Sequence, residues 1–370
     1  MKIEAAVAKA GRPDLALARL DLAGPGPGEV LVRIVAAGIC HTDVKAADPG
    51  SAVPGPVVLG HEGAGIVEAV GPGVTKVVPG DHVVLTFAYC GHCRACLEAA
   101  PAYCHRQWPL NFGCQRANGE GPYLADEAGK PVQGSFFGQS SFASHAIATE
   151  RNTVKVPRDV PLELLGPLGC GIQSGAGAVL NEFRLRPGQS IAVYGVGSLG
   201  LSAVMAARLA GAGRIVAIDR HAHRLDLARE LGADALVEAG DGPVTPAVMK
   251  ATPDGEGVDF VLDTTGALQV MHQAIDVLAP RGTIGFVTSP WSGEELGVAV
   301  QKLLLGRKIR GIVEGNSVPD IFIPRLIELY RKGLFPFDRL VRFYPFAEIN
   351  RAIHDSETGE TVKPVVKMAA

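Results

Sequence analysis

Cys90, Cys93, Cys96 and Cys104 lie in the stretch CGHCRACLEAAPAYC. Their Cys-x2-Cys-x2-Cys-x7-Cys spacing brings four soft thiolates within reach of one centre. That set suits a structural Zn²⁺, which takes four thiolates in a closed tetrahedron and leaves no position open for chemistry. An iron–sulfur run would bring the fourth cysteine sooner and follow it with proline, whereas His105 follows here. The spacing therefore predicts a structural zinc lobe. It uses four of the seven cysteines and leaves Cys40, Cys114 and Cys170. Cys114 has no motif around it and reads as a small buried hydrophobe, with a pocket-lining role left open by its closeness to the lobe.

A second chemistry-bearing pattern is Gly195-Val196-Gly197-Ser198-Leu199-Gly200, a G-x-G-x-x-G run. Gly195 would make the tight turn, Gly197 would let the backbone approach a pyrophosphate, and Gly200 would let helix pack on strand. The run follows IAVY and opens an apolar helix, and Asp219 stands about twenty residues on, as a dinucleotide fingerprint asks. Asp219 is expected to accept hydrogen bonds from the adenosine ribose and to repel a 2′-phosphate, which predicts NAD over NADP. Arg220 beside it is a residue type that can bind that phosphate instead. Arg224 either flanks the ribose or belongs to a solvated helix face.

Two kinds of scaffold must position these groups. Up to about residue 165, short β-branched runs (EVLVRIVAAG, GAGIVEAVGPGV, DHVVLTF, NTVKVP) alternate with Gly/Pro turns, the pattern of a β-rich, barrel-like unit. IAVYGVGSLGLSAVMAARLAGAGRIVAID then reads as strand, glycine turn, helix and strand, and ALVEAG, VDFVLDTTG, GTIGFVT and KIRGIV continue a doubly wound parallel sheet. The expected fold is α/β, with one domain over 1–171 and 314–370 and a dinucleotide-binding Rossmann domain over 172–313. A net charge of −3 over 370 residues gives no basic footprint for nucleic acid or an anionic membrane. The first twenty residues mix acids and bases and lack the apolar core of a secretory leader. A cytoplasmic, reducing setting is expected, in which cysteines serve as metal ligands.

Cys40 in GICHTD, His61 in GHEGAGIVEAVGPGV and Cys170 in LGPLGCGIQSGAGAVLN have no close ligand partners in sequence. With the cysteine lobe and the glycine run, these contexts resemble the zinc-dependent medium-chain alcohol dehydrogenases over essentially the whole chain. The resemblance implies a GroES-like first domain and two Zn²⁺ per subunit. It makes Cys40, His61 and Cys170 the ligands of a catalytic zinc whose fourth position stays open. Zinc there lowers the pKa of a bound alcohol, and the nicotinamide of NAD takes the hydride. Thr42 resembles the residue that takes the alcohol proton, Asp43 the acid that orients the His61 imidazole, and Glu62 the acid behind the metal. His41 and Lys363 resemble basic residues that reach the cofactor pyrophosphate. Lys45 stands where many relatives carry the histidine that ends the proton relay, so either Lys45 or water ends it here.

LGPLGCGIQSGAGAVLN, WPLNFG, SFFGQSSFASHA and LFPFDRL resemble the aryl-alcohol branch, which implies benzyl, cinnamyl or geraniol-like primary alcohols. Phe87, Trp108, Leu110 and Phe112 are the candidates for an apolar substrate wall. A thiol-dependent formaldehyde dehydrogenase shares both zinc patterns and is the alternative within the family. A non-catalytic dinucleotide-binding protein is the alternative outside it. The implied partners are a small alcohol or aldehyde and further copies of this chain, as a homodimer or homotetramer.

Overall fold

The computed structural model describes residues 1–9, 14–48, 50–116, 123–240, 242–288 and 293–369. They form two compact units. Unit 1 is Met1–Gly171 with Val318–Glu328 and Asp338–Ala370; unit 2 is Ile172–Ser317 with Leu329–Phe337. The reading from sequence put everything beyond 313 with the first domain, but 314–317 and 329–337 group with unit 2. The reason is polar and local for the first segment: Asn181 Nδ2 donates to the Gly315 carbonyl at 3.2 Å, and Asn316 Nδ2 to Glu182 at 2.8 Å. For the second it is burial, since Phe335 and Phe337 are fully covered.

Unit 1 is built on the strand Glu29–Gly38. It is apolar almost throughout because it is covered on both faces and paired on both edges. Antiparallel neighbours are Glu62–Val70, His145–Thr149 and Lys363–Lys367. The sheet continues through His82–Leu85 to Thr153–Lys155 on one side and through Val341–Pro345 on the other. A second sheet runs in the order Val57–Val58, Lys2–Ala8, Ala16–Leu22, Leu124–Ala125, Pro131–Val132. Register decides what meets at the sheet's end. Gly38 pairs with Glu62, so Cys40 and His61 leave two adjacent strands at the same place. The glycine is required there, because a Cβ on Gly38 would lie 2.0 Å from Glu62 Oε2.

Unit 2 holds a parallel sheet in the order Ala235–Glu238, Arg214–Asp219, Ser190–Tyr194, Val258–Asp263, Leu278–Phe286, Lys308–Gly311. In chain order that is 3-2-1-4-5-6, the doubly wound arrangement in which ligands bind beyond the carboxyl ends of the strands. Those ends carry Gly195–Gly200, Arg220–Arg224 and Thr264–Gly266. The helix Ser198–Leu209 packs its Ala203, Ala206 and Ala207 side with no exposure, small residues that let it lie close to the sheet. Lys308–Gly311 is an edge strand whose four residues are all exposed. Among the described residues, no helix is long and apolar enough to cross a membrane.

Candidate active site and metal centres

The four lobe cysteines converge. Cys93 Sγ lies 3.5 Å from Cys96 Sγ and 3.9 Å from Cys104 Sγ, and Cys90 Sγ lies 4.0 Å from Cys96 Sγ. A tetrahedron with Zn–S near 2.3 Å has edges of about 3.8 Å, so these separations fit zinc. They are far beyond a disulfide's roughly 2.05 Å. Backbone N–H groups already point at the sulfurs, from Cys93 to Cys90 and from Cys90 to Cys104, both at 3.3 Å. Such donors favour the thiolate form. Backbone N–H groups around Cys93, chiefly at Cys96 and His105, pull it to about 6.

In unit 1 a second group gathers Cys40, His61, Glu62 and Cys170, whose ligand atoms all lie within 4.8 Å of one another. Cys40 is the N-cap of the helix His41–Ala47. Asp43 closes that cap by accepting the Cys40 N–H at Oδ2, 3.0 Å. Its other oxygen accepts from His61 Nδ1 at 2.8 Å and from the Gly60 N–H at 3.1 Å. With Nδ1 the donor, Nε2 carries the lone pair, and that buried atom has no hydrogen-bond partner among the described residues. A buried, unpaired imidazole nitrogen beside two thiols is what a zinc-binding set requires. Cys40 is held well below the usual thiol value, first by its hydrogen bond with Cys170, against burial, and then by His61 and Lys363.

Thr42 is half-buried, with Oγ1 3.7 Å from Cys40 Sγ. His41 is exposed, and Lys45 pairs with Asp48 at 3.3 Å. Glu62 is fully buried, accepts the Gly171 N–H at 3.2 Å, and is covered by Lys363. Lys363 departs from the role that resemblance implied. Its side chain is 2% exposed, and the ammonium donates at 3.0 Å to Glu62 Oε1, Glu62 Oε2 and the Ile39 carbonyl. An ammonium has three donors. All three are spent behind the metal set, so none remains for a pyrophosphate.

An aromatic chain leads up to His61. Phe137 stacks on the imidazole at 4.4 Å and Phe136 meets it edge-on at 5.7 Å. Phe112 packs edge-on against both, and Trp108 stacks on Phe112 at 4.5 Å while remaining 55% exposed. Trp108 and Phe112 are i and i+4 on the helix Gln107–Phe112 and so share a face. Leu110 falls on the opposite side and packs with Ala88, Cys90 and Cys104. It supports the lobe rather than a substrate wall. Phe87 is 1% exposed within the main core of unit 1. Nothing in SFFGQSSFASHA marks Phe136 and Phe137 as neighbours of His61, because adjacent aromatics read as ordinary core. Cys114 is buried, and that burial raises its thiol to about 12.

The glycine turn in unit 2 has the form a pyrophosphate needs. Gly195 has φ +82°, and a Cβ there would meet Thr264 Oγ1 at 2.5 Å. Around Gly197 the nearest atom to such a Cβ is Arg224 Nη1 at 3.9 Å, so the missing side chain leaves an open cradle at the start of the helix. Asp219 accepts the Val196 N–H at 2.7 Å and the His221 N–H at 2.9 Å. It thus braces the turn, while each carboxylate oxygen has capacity for a further hydrogen bond. Arg224 Nε is buried without a partner among the described residues.

Residues 26–158 match the alcohol dehydrogenase GroES-like domain, and residues 198–331 match the zinc-binding dehydrogenase domain. The fold and site therefore define a zinc-binding oxidoreductase with a GroES-like unit and a Rossmann unit. The chain belongs to the zinc-dependent alcohol dehydrogenase family, and it is an alcohol-oxidising enzyme of zinc and NAD(H). It is 48% identical to the geraniol dehydrogenase of Castellaniella defragrans over 98% of this chain and 97% of that one. Over the whole of both chains it superposes on an alcohol dehydrogenase zinc-binding domain protein from Burkholderia ambifaria, at TM-score 0.96 and 50% identity. It superposes equally completely on benzyl alcohol dehydrogenase from Acinetobacter calcoaceticus, at TM-score 0.95 and 45% identity.

Proposed function

We propose that this enzyme oxidises hydrophobic primary alcohols of the aryl or allylic kind to their aldehydes, with NAD as hydride acceptor. The observation that carries the reading is the aromatic chain from Trp108 through Phe112 to Phe137, which ends on the imidazole of His61. A flat, unsaturated substituent packs well against such rings. The alternative thiol-adduct substrate needs charged groups in the pocket, whereas the described residues of this wall, Trp108, Phe112 and Phe137, are uncharged. The relatives named for geraniol and benzyl alcohol support the same class.

Cys40, His61 and Cys170 would hold one zinc, and the cysteine lobe a second. When bound, the first supplies Lewis acidity that lowers the alcohol's pKa. Asp43 keeps His61 in the tautomer that presents Nε2. Thr42, beside Cys40, takes the alcohol proton through its hydroxyl, with Lys45 or water beyond it. In unit 2, the Gly195–Gly200 turn holds the pyrophosphate and Asp219 the ribose. The edge strand Lys308–Gly311, with exposed Ile309 and Val300 and Leu304 nearby in sequence, supports assembly as a homodimer through this edge. Seven cysteines, none in a disulfide among the described residues, support a reducing, cytoplasmic setting.

The test is an NAD-reduction panel of benzyl, cinnamyl and geraniol-type alcohols against ethanol. The proposal expects the hydrophobic alcohols to lead in kcat/KM by at least ~10-fold, since each buried methylene discriminates by roughly 1–3 kcal/mol. Ethanol in the lead would refute it. The same assay with NADP checks Asp219: NAD should be preferred, and Asp219→Ala should narrow the gap.

A further inference from the structure

We infer that Gln139 is a positioning residue of the catalytic metal centre. Together with Thr86, it fixes the backbone at His61 and at Cys170. The inference rests on the reading that Cys40, His61 and Cys170 hold zinc. The ladder between Glu62–Val70 and His82–Leu85 runs from Ile66↔His82 to Ala64↔Val84 and stops there. Beyond it, the peptide groups of His61, Gly63 and Thr86 are buried and need partners from elsewhere.

Gln139 supplies them with one fully buried side chain. Its Nε2 donates to the His61 carbonyl at 2.9 Å and to the Thr86 carbonyl at 3.2 Å, and its Oε1 accepts the Gly63 N–H at 3.2 Å. Thr86, also fully buried, donates its hydroxyl to the Gly169 carbonyl at 2.7 Å. That carbonyl belongs to the peptide bond leading into Cys170. Two neutral side chains therefore link the main chain at one ligand to the main chain beside another, across a sequence distance no ladder spans. Asn152 completes the network: its Nδ2 donates to the carbonyls of Thr86, Phe137 and Gly138 at 3.1–3.2 Å. The loop bearing Gln139, which also stacks Phe137 on His61, is thereby tied to the same point. The side chains of Gln139, Thr86 and Asn152 are all fully buried and hydrogen-bonded, the condition under which such a network specifies a single geometry.

The experiment uses the zinc-loaded enzyme, transfer of zinc to a colorimetric chelator, and the visible absorption of enzyme with Co²⁺ in the catalytic site. Gln139→Leu and Thr86→Val should each release one zinc equivalent ~10–100-fold faster, the range for lost support of metal ligands. They should also shift the cobalt ligand-field bands, while the second equivalent leaves at the wild-type rate. Thr86→Ser, which keeps the hydroxyl, should restore both readouts. Wild-type release and an unchanged cobalt spectrum in Gln139→Leu would overturn the inference. So would equal acceleration of both equivalents, which marks general loosening. If Gln139→Leu does not fold, the Thr86→Val and Thr86→Ser pair decides by the same criteria. A Cys40→Ala control that retains both zinc equivalents would instead overturn the ligand assignment itself.

Discussion

Asp43 joins two of the proposed zinc ligands with one carboxylate: Oδ2 takes the Cys40 N–H and Oδ1 takes His61 Nδ1. An amide cannot replace it, because only one of its two terminal atoms accepts. Asp43→Asn should therefore weaken zinc retention by ~10–100-fold, measured by chelator competition, and lower kcat/KM with it. Lys363 and Glu62 form a buried pair, and breaking such a pair is more costly than removing it whole. Lys363→Met should lower stability by about 3–5 kcal/mol in denaturant unfolding, and the double variant with Glu62→Gln should recover part of that loss. Equal loss in single and double variants would show that the two do not act as a pair. At this scale, sequence was informative where chemistry is distinctive. Thiols and an imidazole framed by glycine stand out, whereas Gln139 and Asn152 are neutral amides whose importance comes entirely from what lies beside them. Lys363 showed the opposite problem: its charge was legible but its partner, 301 residues away, was not.

The cysteine lobe is a local element, closed within fifteen residues by its own sulfurs and peptide groups. Cys93→Ser should cost one zinc equivalent and lower thermal stability, while the folded fraction keeps kcat within about three-fold, because the lobe offers no open coordination position. Lost turnover with both zinc equivalents and the melting temperature intact would contradict that division. The lobe was legible from spacing for the same reason that it is local. The strands Glu29–Gly38 and Val258–Asp263 were equally plain, since burial on both faces writes a run that, between its end residues, is apolar but for Arg33 in one and Asp259 in the other. The loop 135–140 was not. Ser135, Phe137 and Ser140 all have φ between +52° and +58°, conformations that no residue there announces. That backbone path is what turns the Phe137 ring onto His61.

For the molecule as a whole, the 171/172 boundary appears in sequence as a change of rhythm, from Gly/Pro-punctuated strands to βαβ units. The return of 329–337 to unit 2 does not, because FPF reads alike in either core. If the Lys308–Gly311 edge joins two copies, Ile309→Lys should convert a dimer to a monomer in light scattering, since an edge charge opposes strand pairing. An unchanged mass would place the interface elsewhere. One further consequence concerns the order in which a nascent chain can mature. The strand Lys363–Lys367 lies inside the first sheet, between Glu29–Gly38 and Val341–Pro345, yet it is translated after all of unit 2. Segments fold as they emerge from the ribosome. The cysteine lobe can capture its ion early, and the Rossmann sheet can close next. The surroundings of Cys40, His61, Glu62 and Cys170 are complete only once Lys363 has been added behind Glu62, so this group closes late in biosynthesis.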